Sequence, residues 1–161
     1  MRRKSQSPAV PGYTLIELMV VMAVLGILSM AVFPLAEVTV QRDRERELKR
    51  SLWEIRDAID AYKRAVDAGT VAATAGSPGY PASLEVLVTG VPNPKASGQL
   101  QYFLRRVPRD PFADEGVPPA KTWGLRSFDS PADRPRAGAD VYDVYSQSDK
   151  VGLNGVALRE W

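Results

Sequence analysis

From Leu18 to Ala36 the chain carries no charged residue, and the residues before this run form no ordinary secretory leader. A secretory signal runs basic start, apolar stretch, small-residue cleavage site. Here the basic start, Met1-Arg-Arg-Lys4, is followed by the polar, proline-containing stretch Ser5 to Pro11, then Gly12, and only then by apolar residues. A cut after Gly12 would leave the apolar segment on the mature protein. About 20 apolar residues at 1.5 Å each cover a bilayer core of about 30 Å, so 13–36 reads as a transmembrane helix. Three basic residues before it and mixed charge after it place the N-terminus in the cytoplasm. Glu17 interrupts the first turn of this span, where a lone carboxylate costs a few kcal/mol unless it is paired or near the interface.

Gly12-Tyr13-Thr14-Leu15-Ile16-Glu17 resembles the cleavage motif of type IV prepilins and of type II secretion pseudopilins. Residue 13 is Tyr where that family usually has Phe. Glu17 and Pro34 stand where the family carries a first-turn Glu and a helix-bending Pro. The resemblance implies that a membrane prepilin peptidase removes residues 1–12 and methylates the Tyr13 amine. It also implies that Glu17 and Pro34 serve assembly of a helical filament from inner-membrane subunits. Local chemistry offers a second reading of Glu17, since Thr14-Leu-Ile-Glu17 matches a capping box that serves its own helix.

Composition removes whole classes of function. There is no Cys and no His, so disulfides, thiolate or His-based metal sites and Ser-His-Asp catalysis are all excluded. Without Arg2, Arg3 and Lys4 the net charge falls from +2 to −1, with both signs mixed, which argues against nucleic acid as a partner. Carboxylate pairs such as Asp110 with Asp114 and Asp129 with Asp133 lie in proline-rich loops, where turn formation and solvation account for them. No enzyme is expected. The charges from Arg42 to Arg50 bridge neighbouring subunits or face water.

Past the span, Leu48, Leu52, Ile55, Ile59, Tyr62 and Val66 form an apolar seam at helical spacing, and Gly69 is a C-terminal stop. A helix from Tyr13 to Ala68 would run roughly 80 Å at 1.5 Å per residue, loosened or bent at Gly26 and Pro34. Trp53, beside the seam, is expected to pack into the head. Residues 70–78 are small and flexible. Tyr80 to Leu87 suggests a short helix, and strands are expected over Leu100–Arg105, Thr122–Phe128 and Asp140–Ser146. The fold class is α+β: a long N-terminal helix, transmembrane then amphipathic, packed by a small antiparallel pilin-like head over 37–161.

Tyr80-Pro81, Arg106-Val-Pro-Arg-Asp-Pro-Phe112, Trp123-Gly124, Asp140-Val-Tyr-Asp-Val-Tyr-Ser146 and Trp161, in that order, look like the major (G-type) pseudopilins of type II secretion. That likeness implies a pseudopilus subunit in protein export. Its partners are further copies, the inner-membrane secretion platform, minor pseudopilins and inner-membrane lipid, with the head periplasmic. A type IV pilin or minor pilin is the nearest alternative, and a signal-anchored periplasmic enzyme a poorer one. No cofactor is otherwise expected, but such pseudopilins hold Ca²⁺ in the loop that Ser146 to Gly155 resembles, which makes Asp149 and Asn154 candidate calcium ligands. A tight Asn154-Gly155 turn needing no metal explains the same residues.

Overall fold

A computed structural model describes residues 12–73 and 76–161, and residues 30–36 through their backbone alone. The leader other than Gly12 and the Pro34 side chain therefore lie outside the described residues. The chain divides into two units, Met1–Val40 and Gln41–Trp161.

Helix α1, Leu15–Asp67, contributes to both units. In the first unit its side chains from Leu18 to Leu28 are free of charge and hydroxyl groups, and Leu15, Ile16, Leu18, Met19, Val20, Val21, Met22, Val24, Leu25, Ile27 and Leu28 are all exposed. The hydroxyl of Ser29 donates to the Leu25 carbonyl at 2.8 Å, so the one hydroxyl between Leu15 and Ser29 is satisfied within the helix. Among the described residues no helix is long and apolar enough to cross a membrane; the expected span includes 30–36, whose side chains are outside that set.

In the second unit the seam lands where its spacing puts it. Leu48, Leu52, Ile55 and Ile59 are buried, with Tyr62 half-buried beside them. Burying an aliphatic side chain contributes about 1.5–3 kcal/mol, which makes this face the main source of head stability. Trp53 does not join it. At 75% exposure it is turned to solvent, because the residue after Leu52 lies about 100° round the helix from the seam. Helix α1 stops as expected at Gly69, which adopts φ 67 while its N–H donates to the Val66 carbonyl. The Thr70 N–H donates to the Ala65 carbonyl at 2.9 Å, completing a Schellman cap.

Helix α2, Leu84–Thr89, brings Leu84 and Leu87 onto the seam. The expected three-strand cover is instead two separate antiparallel pairs. Strands β1 (Val91–Pro92) and β2 (Leu100–Gln101) pair Val91 with Gln101 and Pro92 with Leu100. This pair is short for a physical reason: Pro92 has no N–H to extend the ladder. The chain then leaves β2 so that the N–H groups of Phe103 and Leu104 both donate to the Leu87 carbonyl, which buries Leu104. Strands β3 (Trp123–Arg126) and β4 (Asp143–Ser146) pair Trp123 with Ser146 and Leu125 with Val144, and lay Trp123 and Val144 on the seam. Both are cores of the expected strands. Tyr80, Phe128 and Tyr142 form an aromatic cluster with ring centroids 4.9–5.6 Å apart. Burial pushes the Tyr80 phenol up, Tyr142 adds to this and Lys63 opposes it.

Candidate functional site

The helix start is built from four residues. Gly12 is exposed, with open space where a Cβ would stand, and Tyr13 is 80% exposed. Thr14 caps α1: its Oγ1 accepts the Glu17 N–H at 3.3 Å, and its carbonyl accepts the Leu18 N–H at 3.2 Å. The capping box is therefore half made. The reciprocal bond, from the Thr14 N–H to the Glu17 carboxylate, is not formed, and among the described residues that carboxylate has no hydrogen-bond or ion-pair partner. An unpaired carboxylate thus sits one turn from an accessible glycine, on a helix whose apolar faces are uncovered. Gly12 and Tyr13 precede α1, Glu17 lies in its first turn, and Pro34 lies within the same helix.

The second candidate region is the head loop after β4. Its two ends are tied into the core. The Ser146 hydroxyl donates to the Asp110 carboxylate at 2.6 Å, and Leu158 is fully buried. Between them the Gly155 N–H donates to the Gly152 carbonyl and the Gly152 N–H to the Val156 carbonyl, both at 2.9 Å, so the expected Asn154-Gly155 turn is present. Gly155 takes the left-handed conformation that closes it, φ 78. Gly152 lies so close to Trp161 that a Cβ there would come within 2.5 Å of the indole.

Calcium takes six to eight oxygens, several of them carboxylate. The Asp149 side chain is 96% exposed and faces Arg159 at 3.8 Å. The Asn154 Oδ1 accepts the Val156 N–H at 3.1 Å. The carbonyls of Lys150, Val151, Gly152 and Val156 are each taken up by N–H donors. Among the described residues no three Asp or Glu side chains converge on a common point. The expected pairing of Asp149 with Asn154 around calcium does not fit this arrangement, because the Asn154 Oδ1 and the carbonyls of Lys150, Val151 and Gly152 accept N–H donors and Asp149 is the one carboxylate the loop offers.

Sequence reasoning missed five charged residues that organise the head, Asp110, Arg56, Asp143, Arg126 and Glu45. Asp110, expected in a solvated turn, is 1% exposed; it also accepts the Phe112 N–H at 2.8 Å, while Asp114 is exposed and makes no pair with it. Arg56 of α1 bonds the Asp143 carboxylate at 2.8 Å and the carbonyls of Val144 and Trp161 at 3.1 and 2.9 Å. Arg126 closes on the other Asp143 oxygen at 3.1 Å. Glu45 is buried against the loop. Asp129 and Asp133 are solvent-facing, as expected.

Residues 10–33 match the family model for the prokaryotic N-terminal methylation motif. The chain is also similar to the type II secretion system core protein G of Pseudomonas aeruginosa, at 33% identity over 117 residues covering 71% of this chain and 73% of that one. No solved structure matches.

Proposed function

The chain belongs to the type II secretion core protein G family of pseudopilins, and from that premise we propose that it is cut between Gly12 and Tyr13, methylated at Tyr13, and drawn from the inner membrane into a pseudopilus that drives protein export. It is a structural subunit and not an enzyme. The observation that carries the proposal is the helix stretch from Leu18 to Leu28, without a polar side chain and exposed throughout. Such a surface requires lipid or protein against it. Lipid covers it while the subunit waits in the inner membrane, N-terminus cytoplasmic and head periplasmic. The same helix of neighbouring copies covers it in the filament. A prepilin peptidase, the secretion platform and minor pseudopilins are the partners this cycle needs.

Glu17 follows the cut by one helical turn. Its carboxylate is free to receive the Tyr13 ammonium of a neighbouring copy as that copy's helix leaves the bilayer. Gly12 suits the scissile position because no side chain covers the carbonyl. Intact-mass and peptide spectrometry of membrane-extracted protein should find an N-methylated Tyr13 start, and Gly12→Leu should leave uncut precursor in the membrane. A Met1 start, or a cut beyond Ala36, would overturn the proposal.

A further inference from the structure

We propose that the head loop 147–157 is locked by a clamp on α1, formed by Glu45 and Gln41, which takes the place of a divalent cation and makes the folded head independent of calcium. Glu45 stands one turn before Leu48 on the seam and is only 8% exposed. A buried carboxylate is costly unless its oxygens are bonded. Its Oε1 accepts two donors, the Leu153 N–H at 2.8 Å and the Gln41 Nε2 at 3.0 Å. The same Gln41 amide donates to the Val151 carbonyl at 3.3 Å. Two side chains one helical turn apart thus hold one N–H and one carbonyl of the loop, 108 and 110 residues away in sequence.

The chemistry is that of a cation-free closure. In a calcium loop carboxylates and carbonyls converge on the ion. Here the carbonyls point at N–H donors: Val151 to the Gln41 amide, Lys150 to the Leu158 N–H at 3.0 Å, Gly152 to the Gly155 N–H and Val156 to the Gly152 N–H, both at 2.9 Å. The carboxylate that organises the loop sits on α1 and takes an amide proton. Asp149 faces solvent and Arg159. Trp161 fills the space beside Gly152 and carries the Lys49 ammonium 4.4 Å above its ring, which ties the loop to α1 a second time.

The test uses the full chain in detergent micelles, with thermal melting and amide hydrogen exchange in millimolar calcium chloride or in chelator. A cation bound only to the native state would raise the melting temperature by several degrees. The wild type should melt at the same temperature in both buffers, and Asp149→Ala should not change that. Glu45→Ala should raise exchange of the loop amides from Val151 to Val156 about tenfold, with calcium unable to restore protection. Glu45→Gln, which keeps an accepting oxygen, should retain most of it. If Glu45→Ala fails to fold, Gln41→Ala removes one donor alone and should raise exchange on both sides of Val151. Calcium-dependent melting or loop protection in the wild type, or unchanged loop exchange in Gln41→Ala or a folded Glu45→Ala, would overturn the clamp.

Discussion

Glu17→Gln is expected to be cut and methylated like the wild type, to remain in the inner membrane, and to yield no filaments. The capping geometry makes this substitution a clean probe. The bond that starts α1 runs from the Glu17 backbone N–H to the Thr14 hydroxyl and does not involve the carboxylate. Gln leaves that bond in place and keeps nearly the same side-chain volume, so the helix start loses at most the interaction of the charge with the helix dipole, under about 1 kcal/mol. An uncompensated ammonium in an apolar filament core costs several kcal/mol per contact. The larger effect decides the outcome, and it recurs at every subunit along the filament. Filament yield by electron microscopy, scored beside the methylated N-terminus by mass spectrometry, separates failed assembly from failed processing. Assembly of Glu17→Gln at wild-type yield would mean that the intersubunit pair does not exist.

Asp110→Ala should give the largest loss of head stability among the polar substitutions. The carboxylate is buried and holds two donors, the Phe112 N–H and the Ser146 hydroxyl, so it joins the proline-rich segment to the end of β4. Thr122 supports it by accepting the Asp110 N–H at 3.1 Å. Removing the carboxylate leaves both donors unsatisfied in the interior, at a cost of about 3 kcal/mol. For a head of this size that is a fall of about 10 °C in melting temperature. Asp110→Asn keeps one accepting oxygen and should lose about half as much. The head loop begins at Ser146, so Asp110→Ala should also loosen residues 147–157, visible as faster amide exchange there. A melting temperature unchanged by Asp110→Ala would show that these donors find water instead.

What could be read from sequence was what is encoded locally. Leu48, Leu52, Ile55 and Ile59 announce a buried face because they recur at helical spacing, and Gly69 announces a stop because glycine alone takes the left-handed cap without strain. Gly12, Tyr13 and Glu17 are a short linear motif, legible without any tertiary contact. The missed features depend on partners far along the chain. Glu45 looks like one more charge in a run of Arg and Glu, and only Leu153, 108 residues later, makes it a buried acceptor. Arg56 meets Asp143 across 87 residues, and Asp110 meets Ser146 across 36. Strand lengths failed for the same reason, since Leu100 to Arg105 has the composition of a longer strand but β1 offers it only Val91 and Pro92. Trp53, expected to pack into the head from beside the seam, is 75% exposed, since one step past Leu52 turns its side chain away from that face. In the loop after β4, composition shows only that Asp149 and Asn154 carry oxygens; that the Asn154 Oδ1 accepts the Val156 N–H while Asp149 faces solvent and Arg159 depends on the folded turn.

The central claim, that this subunit builds a pseudopilus for protein export, is tested most directly by deleting it in its own host and measuring secretion and surface pili in the same cells. Enzyme activity in the culture medium should vanish and accumulate in the periplasm, surface piliation and pilus-driven motility should continue, and the wild-type chain should restore export while Glu17→Gln should not. Undiminished export with loss of surface pili would contradict the account and identify the chain as a type IV pilin instead.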